Sequence, residues 1–410
     1  MDRRNFITSS LKLGGWTLAG SMIHPFLLQK AMAQATTPEN FLLIRVHGGW
    51  DTSLCMDPWT QDALPDPTDY FVEYRKSDLI SSNGALYGPG MSSIKKYLNS
   101  MTVINGLLVN VSEPGHDSAG LYVASGNGQG KLGEMNVEID KKLKNSVFGI
   151  FANSTIQVGT EKPMIVNTRS FQRMTPQKFW ITPDAQSTDL MNDKLQLNNN
   201  QDMIAAFNTK LDQILSSRPS GGPLTDQEIM AAAFASGVSH SGYISLDGLN
   251  LDTHTSHPKN HLSALTSTFE KISQILDVMA STSNGNGTSV LDSTTVYITS
   301  EFTRTPALNT SQGKDHNPKS NSVIVISPHM KPGVIGAAHL VDRKTSPSGT
   351  PFLAATPLDT VTFQPVNTLE NAFILRPESV VATLFKTLGV DPGSVAPSLG
   401  KAPILTSILK

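Results

Sequence analysis

Phe41-Leu42-Leu43-Ile44-Arg45-Val46 runs directly into His47-Gly48-Gly49-Trp50-Asp51, a short apolar stretch that breaks on two glycines and delivers a carboxylate. It reads as a buried strand feeding a glycine turn. Glycine lets backbone approach a ligand with no Cβ in the way, and a carboxylate at a strand end is a hard donor suited to a divalent cation. The competing reading of Asp51 is a plain turn acceptor for backbone N–H groups.

The pattern recurs outward from this stretch. Met101 to Val109 is a second apolar run, broken at Pro114-Gly115, after which His116-Asp117-Ser118-Ala119 opens a segment with helical potential to Ser125. Met164 to Asn167, Thr294 to Thr299 and Ser322 to Ile326 read as further strands. Asp202 to Leu215, Asp226 to Ala235 (capped by Thr225) and Leu262 to Met279 carry helical apolar spacing. Strand-like runs separated by helices predict an α/β fold with a mostly parallel central sheet covered on both faces. Residues 127–201, rich in Asn, Lys and Gln, read as an insertion or lid over the cleft. Gly126-Asn127-Gly128-Gln129-Gly130-Lys131 fails as a phosphate loop, because Ser125 stands where the first glycine belongs and Leu132 where Ser or Thr is required.

In such sheets ligands bind outside the carboxyl ends of the strands, so distant residues are expected to meet in one cleft. Asp252-Thr253-His254-Thr255-Ser256-His257, with His261 beyond, offers imidazole and carboxylate together, a combination that suits zinc. Asp252 and His254 are the first candidates and His257 or His261 the alternative, although Pro258 argues against a helical pair. Ser300-Glu301-Phe302-Thr303-Arg304-Thr305-Pro306 follows the best strand. It offers Glu301 as a ligand and Arg304 as a planar fork for an anion, or as a structural ion pair. In Gly313-Lys314-Asp315-His316-Asn317, Asp315 and His316 form a ligand or proton-transfer pair. Ser118, at a helix start, is the candidate nucleophile, with helix capping by Asp117 or Ser118 as the competing reading.

The ends and totals set limits. Asp2-Arg3-Arg4-Asn5-Phe6-Ile7, a moderately apolar stretch and then Ala-x-Ala sites at 31–33 and 33–35 form a twin-arginine export signal over residues 1–35. The expected location is periplasmic or extracellular, with no stable membrane span once the signal is cleaved. The formal net charge of −2 becomes −5 when Arg3, Arg4, Lys12, Lys30 and Asp2 leave, which gives no reason to expect nucleic acid as a partner. Cys55 is the single cysteine, so an intrachain disulfide and Cys-based zinc or haem motifs are excluded.

On Gly48-Gly49-Trp50-Asp51, Gly115-His116-Asp117-Ser118, Asp252-Thr253-His254, Ser300 to Pro306 and Gly313-Lys314-Asp315-His316, the chain resembles an exported bacterial family called domain of unknown function 1501. That family is a branch of the alkaline phosphatase-like superfamily. The resemblance spans most of residues 36–410 and implies one domain with a three-layer α/β/α core. It also implies a divalent metal, usually zinc, in one or two copies, acting on phosphate or sulfate esters. In that pattern Asp51 and Ser118 face one ion, while Asp252, His254 and His316 hold the other. Glu301-Phe302 stands where the superfamily has Asp-His, and Ser256 where it has histidine, so one ion is left short of ligands. Cys55 lacks the flanking residues of a formylglycine site.

The resulting expectation is an exported metal-dependent hydrolase of small anionic esters. Asp51, Asp252, His254, Glu301, Asp315 and His316 would be metal ligands, Ser118 the nucleophile, His116 or His316 the proton carrier and Arg304 the anion grip. The alternative is a non-catalytic exported protein that keeps the fold and binds a ligand or another exported protein.

Overall fold

The strand from Asn40 to Val46 lies in the interior of an eight-stranded sheet in the computed structural model. The structure describes residues 39–410 apart from 64, 65, 67, 110–114, 128, 129, 144, 145, 172–200, 218–221 and 286. The export signal expected over 1–35 therefore lies outside the described residues, as does the 172–200 part of the expected lid.

In chain order the strands are β1 (Asn40–Val46), β2 (Met101–Asn105), β3 (Ile150–Ala152), β4 (Ile165–Asn167), β5 (Ser241–Leu246), β6 (Thr294–Thr299), β7 (Ser322–Ile326) and β8 (Gly333–Ile335). Their spatial order is β8-β2-β7-β6-β1-β5-β3-β4. Strand β7 is antiparallel to both its neighbours, and every other pairing is parallel. Because β3 and β4 belong to this sheet, part of the segment expected as a lid extends the sheet instead of covering the cleft.

Alternation along β1 builds the two faces. Leu42, Ile44 and Val46 join one core with helices Gln201–Ser216, Asp226–Ser236 and His257–Ser281, while Phe41 and Leu43 join the other with helices His116–Ser125, Met135–Leu143 and Pro377–Thr387. The result is a three-layer α/β/α fold with a mostly parallel central sheet. Among the described residues no helix is long and apolar enough to cross a membrane.

This layering places the chemistry. Strands β5, β1 and β6 lie side by side and parallel, so the segments that leave Leu246, Val46 and Thr299 emerge along one edge of the sheet. The turn after β1 needs its glycines, since Gly48 has φ +107° and Gly49 φ +67°. A Cβ on Gly48 would lie 2.9 Å from the Asp252 backbone N, and one on Gly49 2.6 Å from the Phe302 ring. Only residues without a side chain let the three segments close on each other.

Candidate metal centre

Asp252 Oδ1 is the hub of the cleft. It lies 3.2 Å from His254 Nε2, 3.5 Å from His116 Nε2 and 3.9 Å from His316 Nε2. Arg304 Nη2 donates to it at 2.6 Å. Among the described residues, His116, Asp252 and His316 form the group whose donor atoms all fall within 4.8 Å of one another. His254 Nε2 is 3.0 Å from His316 Nε2 and so joins the same knot. Three imidazoles and one carboxylate make a nitrogen-rich donor set that suits zinc.

Two of the rings, His254 and His116, have a carboxylate behind them. The Nδ1 of His254 pairs with Asp315 Oδ1 at 2.9 Å, and Asn309 Nδ2 donates to the same oxygen at 3.0 Å. Behind His116, Glu301 Oε1 lies 3.8 Å from Nδ1, and this carboxylate raises the His116 pKa. Phe302 walls the group, its ring centroid 5.1 Å from that of His116 and 4.3 Å from that of His316. Carboxylates behind ligating histidines fix the tautomer and point the free nitrogen at an ion. The buried His116 Nε2 makes no hydrogen bond among the described residues and lies 3.5 Å from the hub oxygen.

Several expected ligands do other work. Glu301 is fully buried and accepts from the backbone N–H of Gly48 at 3.2 Å, from that of Gly49 at 2.8 Å, and from Ser300 Oγ at 2.8 Å. It anchors the glycine turn and stands behind His116, with its oxygens already engaged. Asp315 likewise supports His254 and does not face the hub. Burial alone would push the Asp252 carboxyl up, but the Arg304 guanidinium holds it below the usual carboxylate range.

Arg304 does not grip an anion. It is 0 % exposed, and its guanidinium donates from Nε to Gly49 O at 3.0 Å, from Nη1 to Lys314 O at 3.1 Å and from Nη2 to both Gly48 O and Asp252. The fork is spent tying the turn after β1, the loop at 314 and Asp252 together, so Arg304 is a positioning residue.

Asp51 also departs from its expected role, lying beneath the cleft at 1 % exposure with both oxygens occupied. Oδ1 accepts from Ser53 N at 3.0 Å and Ser53 Oγ at 2.5 Å, and Oδ2 accepts from Lys314 Nζ at 2.7 Å. His257 Nε2 is 3.2 Å from Oδ2, and Asp51 N donates to His261 Nε2 at 2.9 Å. Pro258 lies in the first helical turn, where its missing N–H has no helical partner to lose. His257 and His261 therefore do share a helix face, with ring centroids 4.3 Å apart, and both turn toward Asp51. Burial lowers the His257 pKa to about 4 and that of His261 well below the usual range. Lys314 carried no signal in the sequence, because a lysine between Gly313 and Asp315 reads as solvated.

Ser118 sits in the first turn of the helix that His116 opens, exposed, its hydroxyl donating to Gly115 O at 3.2 Å. The residue before the helix is Gly115, and no side chain caps its N-terminus.

Residues 235–370 match the model of a family described as a protein of unknown function (DUF1501). The matched span holds Asp252, His254, Glu301, Arg304, Asp315 and His316, with Asp51 and His116 outside it. No curated protein matches the chain. A solved structure titled for the metabolism of multiple glycosaminoglycans by Bacteroides thetaiotaomicron, with a label ending in "sulf", aligns over 91 % of this chain and 76 % of its own. It shares 10 % sequence identity with this chain at a TM-score of 0.39.

Proposed function

We propose that this chain is an exported hydrolase of phosphate or sulfate esters that works with one divalent ion, most naturally zinc, held by His116, Asp252 and His316. The observation that carries this reading is the convergence of those three side chains from separate segments, with the buried His116 Nε2 making no hydrogen bond at their meeting point. When bound, the ion supplies Lewis acidity toward an ester oxygen. The chain's own residues do the rest. Arg304 holds Asp252 in place, Glu301 stands behind His116, and Ser118 offers a hydroxyl two residues after a ligand. His254, backed by Asp315, takes over the proton transfer first assigned to His116 or His316, since a ligating imidazole has no free nitrogen for it. The Arg3-Arg4 motif and the Ala-x-Ala sites support export.

A second reading has its own observation. His254 Nε2 is close enough to Asp252 and His316 to act as a fourth ligand, and four protein donors close a zinc site that catalysis needs open. The protein would then be a non-catalytic exported binder with a structural ion.

Metal analysis of purified wild type, His254→Ala and Ser118→Ala, with turnover on a panel of phosphate and sulfate esters, decides between them. The hydrolase reading expects one ion in all three and turnover in wild type alone. Loss of the ion in His254→Ala, with no turnover in wild type, would replace it with the binder. Metal-free wild type would remove both.

A further inference from the structure

The resemblance described above implies an ion facing Asp51, and the residues around Asp51 do not fit one. Lys314 Nζ sits on Oδ2 at 2.7 Å with both side chains 1 % exposed. Ser53 takes Oδ1 twice. Thr253 Oγ1 holds the neighbouring histidines at Nδ1, 2.6 Å from His257 and 2.9 Å from His261, while His261 Nε2 accepts from Asp51 N and His257 Nε2 stands 3.2 Å from Asp51 Oδ2 without a hydrogen bond among the described residues.

Nor is Lys314 a loose surface chain that could swing aside. Its N–H donates to Thr253 O at 3.0 Å and its carbonyl accepts from Arg304 Nη1 at 3.1 Å. Gly313 before it is packed directly on the His254 carbonyl. The ammonium is also held 5.8 Å from the centroid of the Tyr70 ring. A fixed backbone thus delivers a fixed positive charge to a carboxylate that burial would otherwise make costly to ionise.

We propose that Lys314 is a tethered cation that closes the Asp51 position to metal, so that the cleft takes one divalent ion and not two. The count of one rests on the function proposed above, whereas the closing of Asp51 does not. A divalent cation at Asp51 would have to displace an ammonium whose side chain is 1 % exposed. Replacing the lysine by an uncharged chain would instead leave the Asp51 carboxylate and His257 Nε2 as a vacant donor pair.

The test is the Co2+ stoichiometry of wild type, Asp51→Asn, His316→Ala, Lys314→Met and the double variant Asp51→Asn/Lys314→Met, by calorimetry and by metal analysis after desalting. Wild type is expected to bind one equivalent, His316→Ala none, Lys314→Met two and the double variant one. Two equivalents in wild type, one of them lost in Asp51→Asn, would overturn the proposal and leave the metalloprotein reading standing. No equivalents in wild type would overturn that reading instead, and a single equivalent gained by Lys314→Met and lost in the double variant would still support the closing of Asp51. A folded Lys314→Met that gains nothing overturns the proposal. If Lys314→Met folds only when Co2+ is added, the ion is replacing the ammonium as proposed. If only the double variant folds, an ion cannot take the place of the lysine and the proposal fails.

Discussion

Asp315 Oδ1 lies 2.9 Å from His254 Nδ1, on the ring edge away from the Nε2 that faces Asp252 and His316. A carboxylate behind an imidazole fixes its tautomer and supports the imidazolium that forms when the ring takes a proton. Asp315→Asn keeps the shape and removes the charge. The expected result is a fall in kcat of roughly 10^2- to 10^4-fold at unchanged metal content, measured on the best ester of the panel. A fall in metal affinity of about 10- to 100-fold at unchanged kcat would instead make His254 a ligand.

Gly313 is the point where the loop carrying Lys314, Asp315 and His316 crosses the segment carrying Asp252 and His254. A Cβ there would overlap the His254 carbonyl, which is backbone and cannot rotate away. Gly313→Ala should cost about 1–3 kcal/mol by overpacking and weaken metal binding at least as much as it weakens the fold. Denaturant midpoints and Co2+ affinity, measured on the same preparation, check this. Unchanged values for both would mean that the two segments are not in contact.

The sequence made part of this legible, and the rest was hidden for physical reasons. Runs of β-branched and apolar residues in the central strands β1, β6 and β7 announced themselves, and the histidines and acids after strand ends marked the cleft. Strand β5 did not, because Ser241-Gly242-Tyr243-Ile244-Ser245-Leu246 looks too polar and too flexible for a central strand. Its glycine is there for packing: a Cβ at Gly242 would lie 2.5 Å from Met230 Sδ and 2.9 Å from the Phe234 ring. Lys314 was passed over, and Arg304 was read first as an anion grip and only second as the ion pair it makes with Asp252, for a related reason. Residue type gives the charge of a side chain, and only the fold shows whether that charge faces solvent or neutralises a buried carboxylate.

Asp252 and His316 share the hub but differ in what they leave behind when removed. Asp252→Ala takes away both a proposed metal donor and the counter-charge of the buried Arg304. Because Asp252 is half exposed, the cost is expected at roughly 1–3 kcal/mol, below that of breaking a fully buried pair. His316→Ala removes a donor without stranding a charge and should cost about 1 kcal/mol or less. Metal binding should be lost in both, while the denaturation midpoint separates them. Equal midpoints would show that Arg304 is held by its carbonyl partners alone.

Glu134 gives the fold a pH dependence that lies outside the cleft. It is fully buried, and Arg45 Nη1 donates to its Oε1 at 3.0 Å. Burial outweighs that attraction and raises its pKa from 4.5 to about 7. The folded state therefore binds this proton more tightly than the unfolded chain does. The stabilisation is fully present below about pH 4.5 and is lost as pH rises through 7, by about 3 kcal/mol at 1.36 kcal/mol per pKa unit. Glu134→Gln keeps a carbonyl for Arg45 and removes the titration. The difference between wild type and variant, from denaturant unfolding at pH 5 and pH 8, should accordingly shift in favour of the variant at the higher pH. Parallel pH profiles would mean that Glu134 is already ionised in the folded protein at pH 5.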